Sequence, residues 1–92
     1  MEDIFEALSA PARRAILDEL CERDDQTLFE ICGRLVTKHG IGLTRQAVSQ
    51  HLLVLEAVGL VQSRREGRCK FHSINTKPLD VMLRRWKKRE RR

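Results

Sequence analysis

A chain of 92 residues corresponds to one small domain, which buries only about 60–65% of its unfolded surface. Its stability is expected to be marginal unless something adds to it, and a subunit partner is the obvious supplement. Hydrophobic residues make up 41% and charged residues 34%, and no apolar run approaches the roughly 18 residues of a membrane span, which excludes an integral membrane protein. The net charge of +5 is unevenly placed: residues 1–32 hold nine acids and three bases (−6), whereas residues 33–92 hold four acids and fifteen bases (+11). Such a basic part attracts nucleic acid or acidic lipid head groups.

Two helices are predicted before residue 23. The first covers about residues 3–9 and has a short apolar face of Ile4, Phe5 and Leu8. Pro11 favours the start of the second, which should end near Glu22. Its residues at helical spacing predict a buried stripe of Ala12, Ala15, Ile16 and Leu20, and a solvent face of Arg13, Arg14, Asp18 and Glu19.

The third and fourth helices have recognisable start signals. Thr27 and Glu30 have the spacing of a capping box, and the helix after them should bury Leu28, Ile31, Cys32 and Leu35. The glycines in residues 37–42 predict the end of that helix and a long connection. Thr44 is the expected N-cap of the fourth helix, which should end at Gly59 and turn inward Ala47, Val48, Leu52 and Leu55.

The rest of the chain predicts a hairpin and a final helix. Residues 60–64 and 68–74 have strand character, and Gly67 suits the turn between them. From Pro78 onward, the i, i+3, i+4, i+7 spacing marks an apolar stripe of Leu79, Met82, Leu83 and Trp86. The predicted fold is therefore mainly α with a small β-hairpin: a single winged helix-turn-helix domain over residues 1–92, with five helices and a two-stranded wing.

The fourth helix and the hairpin together indicate a surface for double-stranded DNA. If the apolar stripe of the fourth helix faces inward, Arg45, Gln46, Ser49 and Gln50 face outward without an acid among them, and Thr44 stands at the helix start. Arginine and glutamine can form paired hydrogen bonds to guanine and adenine in the major groove. Cations surround the hairpin tip and suit phosphates: Arg64, Arg65, Arg68 and Lys70. The alternatives are an ordinary solvated helix face and a charged patch that protects an edge strand.

Three stretches resemble the ArsR-type winged-helix repressors over roughly residues 5–74: ALSAPARRAILDEL, TLFEICGRL and LTRQAVSQHLLVLEAVGLVQSRREGR. The resemblance implies a homodimer that binds a near-palindromic operator and represses its own operon, with the first and last helices at the dimer interface. It also implies that Gln46, Ser49 and Gln50 lie against bases and that His51 lies at the helix flank near the DNA backbone. The 37–42 connection is longer than in most members of the family.

The sequence departs from the metal-sensing members of that family, whose third helix carries a Cys-x-Cys or similar pair. Here the third helix has Cys32 alone, and the final helix has no cysteine or histidine, so neither a metal site nor a cofactor is expected. An intersubunit site that combines Cys21, Cys32 or Cys69 with a histidine stays open. His39 is expected in a loop and His72 on a strand surface. No hydrolase constellation, GxGxxG or P-loop occurs, so an enzyme is not expected.

The terminal helices, at about residues 3–9 and 78–90, are expected to form the dimer interface. Two copies would bury the apolar groups that one small domain cannot cover: Ile4, Phe5, Leu8, Leu79, Met82, Leu83 and Trp86. The alternative is a last helix that folds back on its own core. The basic stretch 84–92 is expected to be a solvated end, with a phosphate contact as the alternative.

Three unpaired cysteines and an acidic N-terminal sequence without a signal-peptide pattern predict the cytoplasm, and no small-molecule effector is evident. Two rival functions remain. In one, the winged helix binds a protein rather than DNA, through Leu53, Val58 and the Trp86 stripe. The other is RNA binding, which the few aromatic residues disfavour.

Overall fold

A computed structural model describes residues 3–87 and confirms the predicted mainly-α winged helix-turn-helix fold. In chain order its elements are α1 (Ile4–Ser9), α2 (Pro11–Glu22), α3 (Leu28–His39), α4 (Arg45–Ala57), β1 (Val61–Glu66), β2 (Cys69–Ile74) and α5 (Lys77–Lys87). Within the described residues, no helix is long and apolar enough to cross a membrane.

The core lies between α2, α3 and α4, each of which contributes a stripe at helical spacing. Burying one large aliphatic side chain is worth about 1.5–3 kcal/mol, so these stripes hold the three helices together. The largest buried apolar residues are Ile16, Leu20, Ile31, Leu35, Val48, Leu55 and Leu60. The inward-facing positions predicted for Val48, Leu52 and Leu55 are confirmed, which fixes the rotation of α4 about its axis.

The start of α3 is the predicted capping box, but its end lies further along the chain than predicted. The Thr27 hydroxyl accepts the Glu30 N–H at 3.2 Å, and the Glu30 carboxylate accepts the Thr27 N–H at 2.9 Å. The helix then continues to His39 and ends at Gly40, whose positive φ of 66° suits glycine. The connection to α4 therefore begins at Gly40 rather than at residue 37, and His39 is a helix residue and not a loop residue.

Glu19 was expected on the solvent face of α2, but it is only 1% exposed. Two side chains from α3 reach its carboxylate: Arg34, and His39, whose Nε2 lies 2.8 Å from Oε2. Burial raises the pKa of Glu19, but the hydrogen bonds from Arg34 and His39 outweigh it, so the pKa lies below its ordinary value. The prediction failed because helical spacing describes one helix and does not include partners on another.

The hairpin is antiparallel, with Val61 opposite Ile74 and Glu66 opposite Cys69, and Gly67 takes the left-handed turn conformation at φ 63°. His72 is 5% exposed, so its predicted place on the strand surface is wrong. It forms an isolated antiparallel bridge with Gln26, whose carbonyl accepts the His72 N–H at 2.8 Å and lies 3.0 Å from the imidazole Nδ1. This bridge ties the base of the hairpin to the segment that precedes α3.

Helix α5 begins at Lys77, one residue before the predicted start. None of its described residues is buried, although Leu79 packs partly against the core. The predicted span 78–90 and the basic stretch 84–92 both extend beyond the described residues.

Candidate nucleic-acid interface

Helix α4 presents most of the predicted recognition residues on its outer side. The Thr44 hydroxyl accepts the Ala47 N–H at 3.0 Å, so the predicted N-cap is confirmed. This hydroxyl oxygen therefore caps the first turn of α4. Three of the predicted side chains are exposed: Arg45, Gln46 and Gln50. The fourth, Ser49, is half-buried. The outer surface of the first two turns therefore carries hydrogen-bonding groups and no carboxylate.

His51, in contrast, faces inward along the flank of α4. Its Nδ1 lies 3.1 Å from a guanidinium nitrogen of Arg13 in α2, and Arg13 also donates to the carbonyl of Ala7 at 2.7 Å. Burial lowers the pKa of His51, and the adjacent Arg13 charge lowers it further. The neutral imidazole therefore accepts from Arg13, and this contact joins α4 to α2 and α1.

The four predicted wing cations are all exposed, but they differ in their partners. Arg64 forms ion pairs with Asp25 at 3.4 Å and Glu66 at 3.0 Å, and its guanidinium lies 4.9 Å from the centre of the Phe71 ring. None of the ion pairs found among residues 3–87 involves Arg65, Arg68 or Lys70. The sequence could not distinguish Arg64 from its neighbours, because Asp25 is distant along the chain.

The loop between α2 and α3 holds the base of the wing. Asp24 accepts the Ile74 N–H at 2.9 Å, and Asp25 accepts the Ser73 hydroxyl at 2.6 Å. The Ser73 hydrogen bond, with help from the Arg64 charge, holds the pKa of Asp25 below its ordinary value. Asp25 has a positive φ of 59°, a conformation that aspartate tolerates better than most residues. The wing is therefore fixed along one edge to the helical body.

Helix α4 and the wing share one concave surface. This groove has a volume of about 400 Å³ and includes Phe29 at the start of α3, Ser49 and Leu53 of α4, and Arg68 and Lys70 at the wing. Lys70 is the cross-strand partner of Arg65, so their side chains lie on the same face of the hairpin. Of the predicted recognition residues, Ser49 lines this groove with Arg68 and Lys70 of the wing, and Glu56 of α4 lines it as well. Arg45, Gln46 and Gln50 are exposed but do not belong to its lining.

A second exposed surface is apolar and lies at the other end of α4. A groove there is lined by α1 residues, by Val58 and by α5 residues. Several large side chains on the two terminal helices are about half exposed: Phe5, Val81, Leu83 and Trp86. Ile4, Leu8, Leu79 and Met82 are partly covered. Val81 was not among the predicted interface residues, although it belongs to the same helix.

The cysteines and histidines do not converge in the described part of the chain. All three cysteines are free thiols; Cys21 and Cys69 are exposed, and Cys32 is half-buried. Burial raises the pKa of the Cys32 thiol, although the charge of Arg45 opposes this shift. Across residues 3–87, no group of three or more His, Cys, Asp or Glu side chains is arranged to hold a metal ion.

Comparison with known proteins gives consistent relatives, although no protein-family model matches the chain. The HTH-type transcriptional regulator YuzN of Bacillus subtilis (strain 168) is 48% identical over 83 residues, which are 90% of this chain and 90% of that protein. The transcriptional repressor SdpR of the same organism is 30% identical over 76 residues, 83% of this chain and 77% of that protein. Among solved structures, an ArsR-like transcriptional regulator from Rhodococcus sp. RHA1 has a TM-score of 0.78 and 33% identity, covering 92% of this chain and 72% of that chain.

Proposed function

The chain belongs to the ArsR-type winged helix-turn-helix family, DNA-binding regulators of transcription and not enzymes, and from this premise we propose that it is a homodimeric repressor of a near-palindromic operator. One observation carries the proposal: the outer face of α4, which has no acid over its first two turns, continues into a groove that Ser49 and Leu53 share with Arg68 and Lys70 of the wing and with Glu56. Duplex DNA that holds α4 in its major groove would therefore bring its phosphate backbone to those cations.

In this proposal, α4 enters the major groove and reads base edges. Gln46 and Gln50 are exposed and can pair with N6 and N7 of adenine, and Arg45 can pair with O6 and N7 of guanine. Each paired contact is worth about 1–3 kcal/mol of discrimination against the wrong base. His51 would act indirectly, because its contact with Arg13 fixes the flank of α4 against the body.

The wing cations bind phosphates without reading sequence. Arg65, Arg68 and Lys70 are the cations for this role, because none of the ion pairs found in residues 3–87 engages them. Arg64 is already paired with Asp25 and Glu66, and a phosphate would have to compete with these contacts, so its contribution should be smaller. The resulting binding is salt-dependent, since each neutralised phosphate releases a condensed counterion.

The second copy would cover the apolar faces of α1 and α5. Phe5, Leu83 and Trp86 are exposed in the single chain, and a twofold partner presents the same patch in return. Two recognition helices on one face of B-DNA would then enter successive major grooves about 34 Å apart. Bound there, the dimer would block polymerase sterically in the cytoplasm, without a resident metal or small-molecule effector.

The test uses fluorescence anisotropy with duplexes selected from random sequence and with scrambled versions of them. We expect a preference for the selected duplex of at least tenfold, and sedimentation of the free protein as a dimer. Equal affinity for selected and scrambled duplexes at two salt concentrations would contradict a sequence-specific regulator and favour a protein-interaction module. If the free protein sediments as a monomer although the selected DNA sequence is twofold symmetric, the proposed dimer interface between the terminal helices is contradicted.

A further inference from the structure

The outer face of α4 does not end with its polar residues. Gln46, Ser49, Gln50 and Leu53 follow the i, i+3, i+4, i+7 spacing that places side chains on one face of a helix. Leu53 is 51% exposed, whereas the adjacent Leu52 is buried. A large apolar side chain thus continues the row that would enter the major groove.

The position of Leu53, more than its exposure, calls for an explanation, because single exposed leucines are common on soluble proteins. At a rise of 1.5 Å per residue, Leu53 lies about 10.5 Å beyond Gln46 along the axis of α4, which matches about three base pairs at 3.4 Å each. If α4 lies in the major groove with its axis along the duplex and Gln46 against one base pair, Leu53 reaches a base pair about three steps away.

Only one group in the major groove is apolar: the C5-methyl group of thymine. Leucine can neither donate to a phosphate nor accept from a base edge, but its branched methyl groups can displace water from that methyl group. Building on the proposed function, we infer that Leu53 is a specificity-determining residue that recognises a thymine methyl group about three base pairs from the pair contacted by Gln46.

The contact predicts an effect of defined size. Replacing a thymine by uracil removes one methyl group and leaves all base-pair hydrogen bonds in place. Loss of one buried methyl group corresponds to about a fourfold loss of affinity. We therefore expect about fourfold weaker binding when the thymine against Leu53 is replaced, and no comparable loss for thymines outside the reach of α4.

The experiment replaces each thymine of the selected duplex by uracil, one at a time, and measures the dissociation constant for the wild type and Leu53→Ala. The variant should bind thymine and uracil equally at the critical position. Leu53→Met, which keeps an apolar side chain, should restore part of the difference. Val36→Ala is the matched control, because Val36 is similarly exposed but lies on α3 away from this row. Circular dichroism melting checks that all variants fold.

The outcomes separate this inference from the proposed function. If the wild type prefers the selected duplex but no uracil substitution weakens binding, or if Leu53→Ala keeps the uracil penalty, the thymine contact is wrong and the regulator stands. The same holds if Leu53 instead binds another protein, since uracil would then have no effect. If the wild type does not distinguish selected from scrambled thymine-containing duplexes, the proposed function fails and this inference with it.

Discussion

Alanine substitutions at Arg68 and Arg64 should have different effects on the salt dependence of DNA binding. Each phosphate contact contributes about 0.9 to the slope of log K against log salt. Arg68 has none of the ion pairs found in residues 3–87, and a dimer has two wings, so Arg68→Ala should reduce the slope by about 1.8. Between 50 and 200 mM salt, wild-type affinity should therefore fall by about 12-fold more than that of the variant.

Arg64→Ala is the matched control within the same hairpin. Because Asp25 and Glu66 already compensate the Arg64 charge, its removal should change the slope by less than half as much as removal of Arg68. Fluorescence anisotropy titrations at four or more salt concentrations give both slopes. Equal changes for the two variants, or an unchanged slope for Arg68→Ala, would refute the assignment of phosphate contacts from the ion pairs.

The remaining predictions concern sequence discrimination, dimer formation and stability. Gln46→Ala should lower discrimination between operator variants by about 1–3 kcal/mol, measured by competition anisotropy, whereas an equal loss on scrambled duplex would assign Gln46 to the backbone. Trp86→Ala should raise the dimer dissociation constant at least about tenfold in sedimentation experiments, whereas Phe29→Ala, an exposed aromatic on another surface, should leave it unchanged. Arg34→Met should lower the urea midpoint of unfolding at pH 7, because the buried Glu19 carboxylate keeps its contact with His39 but loses the guanidinium. The folded-state pKa of Glu19 is lowered, so this stabilisation is complete above the ordinary pKa of 4.5 and is lost as the pH falls through the folded-state pKa. A stability difference between wild type and variant that persists below both pKa values would contradict this origin.

Local signals predicted most of the fold. The stripe on α4 and the caps at Thr27 and Thr44 depend on residues within one or two helical turns, and the structure confirms them. Rotation of α4 about its axis follows from its buried stripe, so the exposure of Gln46 and Gln50 was predictable too.

Residues whose environment is set by distant partners were not predictable in the same way. Glu19 and His72 are polar and were expected at the surface, but both are buried by partners from other elements. His72 is bonded to Gln26, which lies 46 positions away, and Glu19 is bonded to Arg34, 15 positions away. A single sequence contains no record of such pairings, because neither periodicity nor turn chemistry couples residues at those separations.

The attachment of the wing to the α2–α3 loop has a consequence for the shape of the bound duplex. Asp24, Asp25 and Gln26 hold three successive residues at the end of β2, so the hairpin has little freedom to swing about its base. Because a wing fixed at its base adjusts little to the duplex, we expect the DNA to bend where its backbone does not already follow the line from α4 to the wing. We therefore expect flexible pyrimidine–purine steps to be favoured at operator positions that no side chain touches, where the ease of bending is itself selected.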